Sequence, residues 1–144
     1  MSPLTRRYIK TSFVFLVAGL LLGAWIVVAE FAADVAPPRL LITAHVHLLL
    51  VGFMLMLVMG VATWMFPRPA AADTRYHPAV AEAVYWIVAL ATALRALSEV
   101  LAAFGARSLR PLVALGGLGQ VAGALLFVVN IWWRVRMPAV SARP

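Results

Sequence analysis

The chain has 144 residues, 65% of them hydrophobic and only 12% charged, with a mean hydropathy of +0.98. A soluble domain of this size carries about 25% charge, so the composition excludes a water-soluble globule and points to one membrane domain over residues 1–144 with lipid as its solvent. The net charge is +7, and the basic residues lie mostly between and beyond the apolar runs, where anionic headgroups attract them, which argues against a nucleic-acid partner.

A helix needs roughly 20 apolar residues to cross the hydrocarbon layer. Four segments qualify: about Thr11–Ala33, Leu40–Phe66, Val80–Phe104 and Leu112–Trp133. The first follows Thr5-Arg6-Arg7-Tyr8-Ile9-Lys10, which looks like a twin-arginine export signal with a cleavage point after Val28-Ala29. The run is nevertheless expected to stay in place as the first helix. It contains Gly19-x-x-x-Gly23, a spacing of small residues that lets helix backbones approach closely. Pro37-Pro38-Arg39 ends it, and the second segment runs to Pro67-Arg68-Pro69. His77-Pro78 opens the third, which Gly105 through Pro111 separates from the fourth. The fourth carries Gly119-x-x-x-Gly123 beside Gly116 and Gly117. Both glycine motifs are expected to serve packing inside one bundle. The linkers are short, so chain neighbours form antiparallel hairpins, giving an all-α four-helix membrane bundle. No internal repeat and no soluble domain are visible.

Lysine and arginine set the orientation. The N-terminus (Arg6, Arg7, Lys10), the second loop (Arg68, Arg75) and the C-terminus (Arg134, Arg136, Arg143) hold eight, against three in the first and third loops (Arg39, Arg107, Arg110). Both termini are therefore expected in the cytoplasm. Trp64, Phe66, Trp132 and Trp133 suit the aromatic belt on that side.

An ionisable side chain inside a membrane is costly and marks a functional hypothesis. The candidates are His45 and His47 in the opening turns of the second helix, and Arg95 and Glu99 in the outer half of the third. Gln120 and Asn130 in the fourth suit interhelical hydrogen bonds. At 1.5 Å per residue, His45, His47, Arg95 and Glu99 fall in one layer near the outer face. Residues at i and i+2 point roughly 200° apart on a regular helix, so the two imidazoles cannot readily chelate one ion. They can serve two sites on opposite flanks, or one kind of site shared between neighbouring copies. Neutral imidazole is an axial ligand for haem iron, and coordination would satisfy a nitrogen that lipid leaves without a partner. With no cysteine in the chain, such a haem would be held without covalent attachment. Arg95 and Glu99, at i and i+4, suit a mutual salt bridge that permits burial. Arg95 with Arg107 or Arg110 would also suit haem propionates. His77 lies in the inner loop, too far away to join the other histidines.

The stretch AHVHLLLVGFMLMLVMGVATWMFP resembles the tenth transmembrane helix of the haem–copper oxidase catalytic subunit. Ala44, His45, His47, Gly60, Phe66 and Pro67 fall at matching places without gaps. The segment LITAH also looks like the second helix of that subunit, and nitric oxide reductases of the superfamily have a similar helix. The family's twelve helices form three arcs of four about a pseudo-threefold axis, with its second and tenth helices in equivalent positions. The resemblance therefore implies that this chain corresponds to one arc and assembles as a homotrimer. It further implies that His45 of one protomer and His47 of its neighbour hold a haem b, with the iron bound by both. In the tenth helix of the family the residue matching His45 binds the high-spin haem instead, so the family pattern cannot be carried over whole. Histidines equivalent to the family's copper ligands are missing, so oxygen reduction to water is not implied.

The expected function is a membrane b-type haem protein of the bacterial plasma membrane, engaged in electron transfer or in nitric oxide or oxygen binding. If it is an enzyme, it is a haem-dependent oxidoreductase. The alternatives are a cofactor-free assembly factor or small transporter subunit, and copper storage through Met54, Met56, Met59 and Met65.

Overall fold

The computed structural model describes residues 1–66, 77–132 and 134–135. Arg68, Arg75, Trp133, Arg136, Arg143 and the Pro67-Arg68-Pro69 break lie outside the described residues. Among the described residues four helices are long and apolar enough to cross a membrane: α1 (Pro3–Phe31), α2 (Arg39–Met65), α3 (Pro78–Ala103) and α4 (Arg107–Trp132). No strand occurs among the described residues.

Each boundary has a local cause. Helix α1 begins at Pro3, earlier than the expected Thr11, because Ser2 caps it: its hydroxyl accepts the Thr5 amide at 3.2 Å, and proline suits the first helical position. Hydropathy marks the part of a helix that lies in lipid, and the polar turns of Arg6, Arg7 and Lys10 continue the same helix beyond it. Helix α2 follows Pro37-Pro38 and ends at Phe66, whose extended backbone is the conformation favoured before proline. Helix α3 opens on Pro78 and closes at Gly105, whose φ of +111° a side chain would strain. Helix α4 opens with a tight 3₁₀ turn, Arg107–Leu109, ahead of the expected Leu112. Pro111 is tolerated there because a first-turn residue has no intrahelical amide bond to lose.

Helix α2 is not uniform. Residues Leu48–Leu55 wind as a π-helix between two α-helical portions, Arg39–His47 and Met56–Met65. The widened stretch begins directly after His47.

Packing follows chain order, with α1 on α2, α2 on α3 and α3 on α4. The first and third helices touch far less, and among the described residues the first and fourth do not form a packed pair. The helices therefore form an open row rather than a closed bundle. Glycines bring the hairpin partners together. A Cβ at Gly19 would come within 2.7 Å of Leu49, one at Gly52 within 2.7 Å of Phe15, and one at Gly60 within 2.7 Å of Tyr8. On the other hairpin, Gly119 sits against Ala91 and Gly123 against Val88. The glycine motifs thus serve contacts within the chain. Between these seams the core holds Tyr8, Phe15, Leu48, Met56, Met59, Val84, Tyr85 and Val88, with Tyr8 and Tyr85 edge to face at 5.1 Å. Apolar side chains such as Leu21, Phe31 and Leu118 face outward, as a lipid environment requires.

Gly116 is the glycine of this seam whose added Cβ would meet backbone atoms within 3.0 Å. A Cβ there would lie 2.7 Å from the Arg95 Cβ and 2.9 Å from the Ala91 carbonyl oxygen. Gly116→Ala is expected to lose about 1–3 kcal/mol in detergent unfolding, because backbone must shift to admit the methyl group. Gly117→Ala should cost clearly less, since its Cβ meets only the far end of the Arg95 side chain at 3.0 Å. Equal losses for the two would overturn this account of the seam.

Polar contacts tie the opposite end. Arg7 pairs with Glu82 at 2.7 Å and lies over the Tyr85 ring, and the Thr11 hydroxyl meets the Tyr85 hydroxyl at 2.8 Å. Arg134 donates to the carbonyls of Thr63 and Phe66, capping the last turn of α2.

Candidate functional site

The chemistry-bearing groups gather in the Arg39 half of the molecule, around the α-helical opening turns of α2. There the two histidines leave the helix on different flanks. His45 turns toward α1, where its Nδ1 lies 2.8 Å from the Gly19 carbonyl oxygen. Gly23 makes room for the ring, because a Cβ at that position would stand 2.5 Å from the imidazole Cε1. His47 turns toward α3. Its Nδ1 lies 2.8 Å from the Thr43 carbonyl oxygen, one turn back, and 4.0 Å from the Glu99 carboxylate.

A carbonyl oxygen can only accept, so in each ring the Nδ1 carries the hydrogen and donates it. The neutral ring then presents its lone pair at Nε2. Among the described residues neither Nε2 makes a hydrogen bond. Both histidines are half-buried.

Next to His47 lies a buried polar network joining α3 to α4. The Arg95 Nε donates to Glu99 Oε1 at 3.1 Å, and an Arg95 terminal nitrogen donates to Gln120 Oε1 at 3.1 Å. The Gln120 amide then donates to the Thr92 hydroxyl at 3.2 Å. Glu99 is fully buried, and its Oε2 has no hydrogen-bond partner among the described residues. A charged pair is expensive to bury unless each partner is satisfied; here one oxygen is matched and the other is not.

Arg107 and Arg110 lie apart from Arg95, exposed at the start of α4. Arg110 joins Arg39, Leu40, Thr43 and Val113 around an open pocket of about 440 Å³. Arg39, Thr43 and His47 are spaced i, i+4 and i+8, so they form one stripe along α2 with the pocket outward of His47.

The structure thus brings His47, Arg95 and Glu99 into one layer, with His45 facing the other way. It does not bring Arg107 or Arg110 to Arg95, because Arg95 is drawn between α3 and α4 by Glu99 and Gln120. The sequence reading passed over Arg39 and Thr43, whose i+4 spacing from His47 was a legible signal, and Thr92, which had none. Asn130 accepts from the His77 amide at 3.5 Å, far from this layer. The four methionines do not converge: Met56 and Met59 are buried in the core, whereas Met54 and Met65 face outward. A copper store built on them is therefore not formed within the chain. No group of three or more His, Cys, Asp or Glu side chains able to hold a metal ion occurs among the described residues.

No protein-family model, no curated protein and no solved structure matches the chain.

Proposed function

We propose that this chain is a b-type haem protein of the bacterial plasma membrane, with both termini in the cytoplasm, in which His45 of one copy and His47 of the next hold the iron. The carrying observation is that each Nδ1 is committed to a backbone carbonyl, which leaves Nε2 as the ligating atom in both rings. Metal-bound histidine is held in this way, the second nitrogen donating to a carbonyl or carboxylate that fixes tautomer and ring plane.

Because the rings leave α2 toward α1 and toward α3, one chain does not supply both ligands to one iron. Two copies do. The open row of helices leaves long apolar faces for such copies, and the resemblance of α2 to a haem–copper oxidase helix favours three copies in a ring. The Arg39–Arg110 pocket, on the same stripe as His47, suits the carboxylates of the macrocycle better than Arg95, which is already committed to Glu99 and Gln120. Bound haem supplies a one-electron couple, and two axial imidazoles saturate the iron, which favours electron transfer over gas chemistry.

The test is a visible spectrum of the detergent-solubilised protein, taken with the mass of the particle. A low-spin bis-histidine spectrum from a three-copy particle is expected. A high-spin spectrum that shifts with carbon monoxide would put one histidine at the iron and move the function to gas binding. Colourless protein that takes up no added haem, or a monomeric particle, would overturn the proposal and favour a cofactor-free membrane component.

A further inference from the structure

The buried carboxylate of Glu99 is not explained by packing. It is fully buried, its Oε1 is shared by Arg95 at 3.1 Å and lies 4.0 Å from the His47 Nδ1, and its Oε2 has no partner among the described residues. Structure alone would be served better by an apolar residue, because a buried pair seldom repays its desolvation. The position beside the hydrogen-bearing nitrogen of His47 gives the carboxylate a different use.

We infer that Glu99 is a positioning residue that sets the electron affinity of the iron through His47. This inference rests on the haem reading above. The Nδ1 of His47 donates to the Thr43 carbonyl and lies 4.0 Å from Glu99 Oε1. Negative charge near the donated hydrogen raises the donor strength of the opposite nitrogen. It also favours the more positive, oxidised iron over the reduced one, with little screening in a buried site. Arg95 pairs with the same Oε1 and opposes this effect, so the carboxylate acts with part of its charge, its Oε2 having no hydrogen-bond partner among the described residues. No carboxylate is paired with His45 among the described residues, and its Nδ1 meets the Gly19 carbonyl. The two axial ligands are therefore unequal, and the tuning enters through one of them.

The experiment is a potentiometric titration of haem-loaded Glu99→Gln beside the unsubstituted protein. The substitution is expected to shift the ratio of oxidised to reduced haem at least tenfold toward the reduced form, about 59 mV upward for one electron, with the low-spin spectrum unchanged. Loaded Glu99→Gln with an unaltered potential would overturn the role of Glu99 and leave the haem reading standing. Failure of the unsubstituted protein to take up haem would overturn both. A second measurement keeps the carboxylate in place in case Glu99→Gln does not fold. In Glu30→Gln/Glu82→Gln, which alters the two exposed glutamates, Glu99 is the remaining one. With ¹³C-labelled glutamate, the oxidised-minus-reduced infrared spectrum of that variant is expected to contain an isotope-shifted carboxylate band. A spectrum without one would overturn the inference.

Discussion

Arg95→Met is expected to destabilise the folded protein by about 3 kcal/mol, read as a lower unfolding midpoint in detergent. Breaking a buried ion pair from one side costs roughly 3–5 kcal/mol, because the remaining charge is left without compensation. The lower end applies because the Arg95 side chain is 21% exposed, whereas Glu99 is entirely enclosed. The same change removes the donor to Gln120 and so loosens α4 from α3. Arg95→Met/Glu99→Gln should recover most of the loss, since no ionised group then remains in the layer. The two sites are in contact, so their effects should be strongly non-additive. A single-variant loss no greater than about 1 kcal/mol, the scale of an exposed pair, would show that the layer is hydrated rather than sealed.

On the proposed shared haem site, His45→Ala and His47→Ala are each expected to abolish the low-spin spectrum, because every iron would lose one of its two axial ligands. Their structural costs should differ. His45 bridges α2 to the Gly19 carbonyl of α1, so its removal costs about 1 kcal/mol of hydrogen bonding and leaves a gap over Gly23. His47 bonds within its own helix, and its removal should leave stability nearly unchanged. Coexpression gives the sharper result. A copy of His45→Ala still carries His47, and a copy of His47→Ala still carries His45. Mixed particles should therefore regain a fraction of the haem that neither variant binds alone. No regain on coexpression would exclude a site shared between copies, even if both single variants had lost their colour.

The helices were legible because lipid demands about 20 apolar residues and prolines interrupt the backbone at fixed places. The start of α1 was not, since Ser2 and Pro3 build a cap in a polar stretch that hydropathy ignores. The divergence of His45 and His47 followed from 100° per residue, and the Arg95–Glu99 bridge from i, i+4 spacing. Gly23 was readable as a packing residue but not as the recess for an imidazole, because that depends on how α1 is rotated against α2. The hydrogen bonds of both Nδ1 atoms and the unmatched Glu99 Oε2 depend on rotamers and neighbours, which one-dimensional spacing does not encode. The open row of helices was hidden for a similar reason. Short linkers dictate which helices are neighbours but not whether the ends of the row meet.

The π-helical stretch Leu48–Leu55 gives α2 two phases instead of one. Bonds from i to i+5 wind fewer degrees per residue than those from i to i+4, so the register of the turns before it is decoupled from that of the turns after it. The histidine-bearing turns are keyed to α1 by Gly19 and Gly23, and the far portion is keyed separately by Tyr8 against Gly60. The stretch between them is itself seated on α1, with Gly52 against Phe15 and Leu49 against Gly19, so the change of phase is built into the hairpin seam. The histidine pair sits just ahead of this stretch, on turns whose register the far portion of α2 does not dictate.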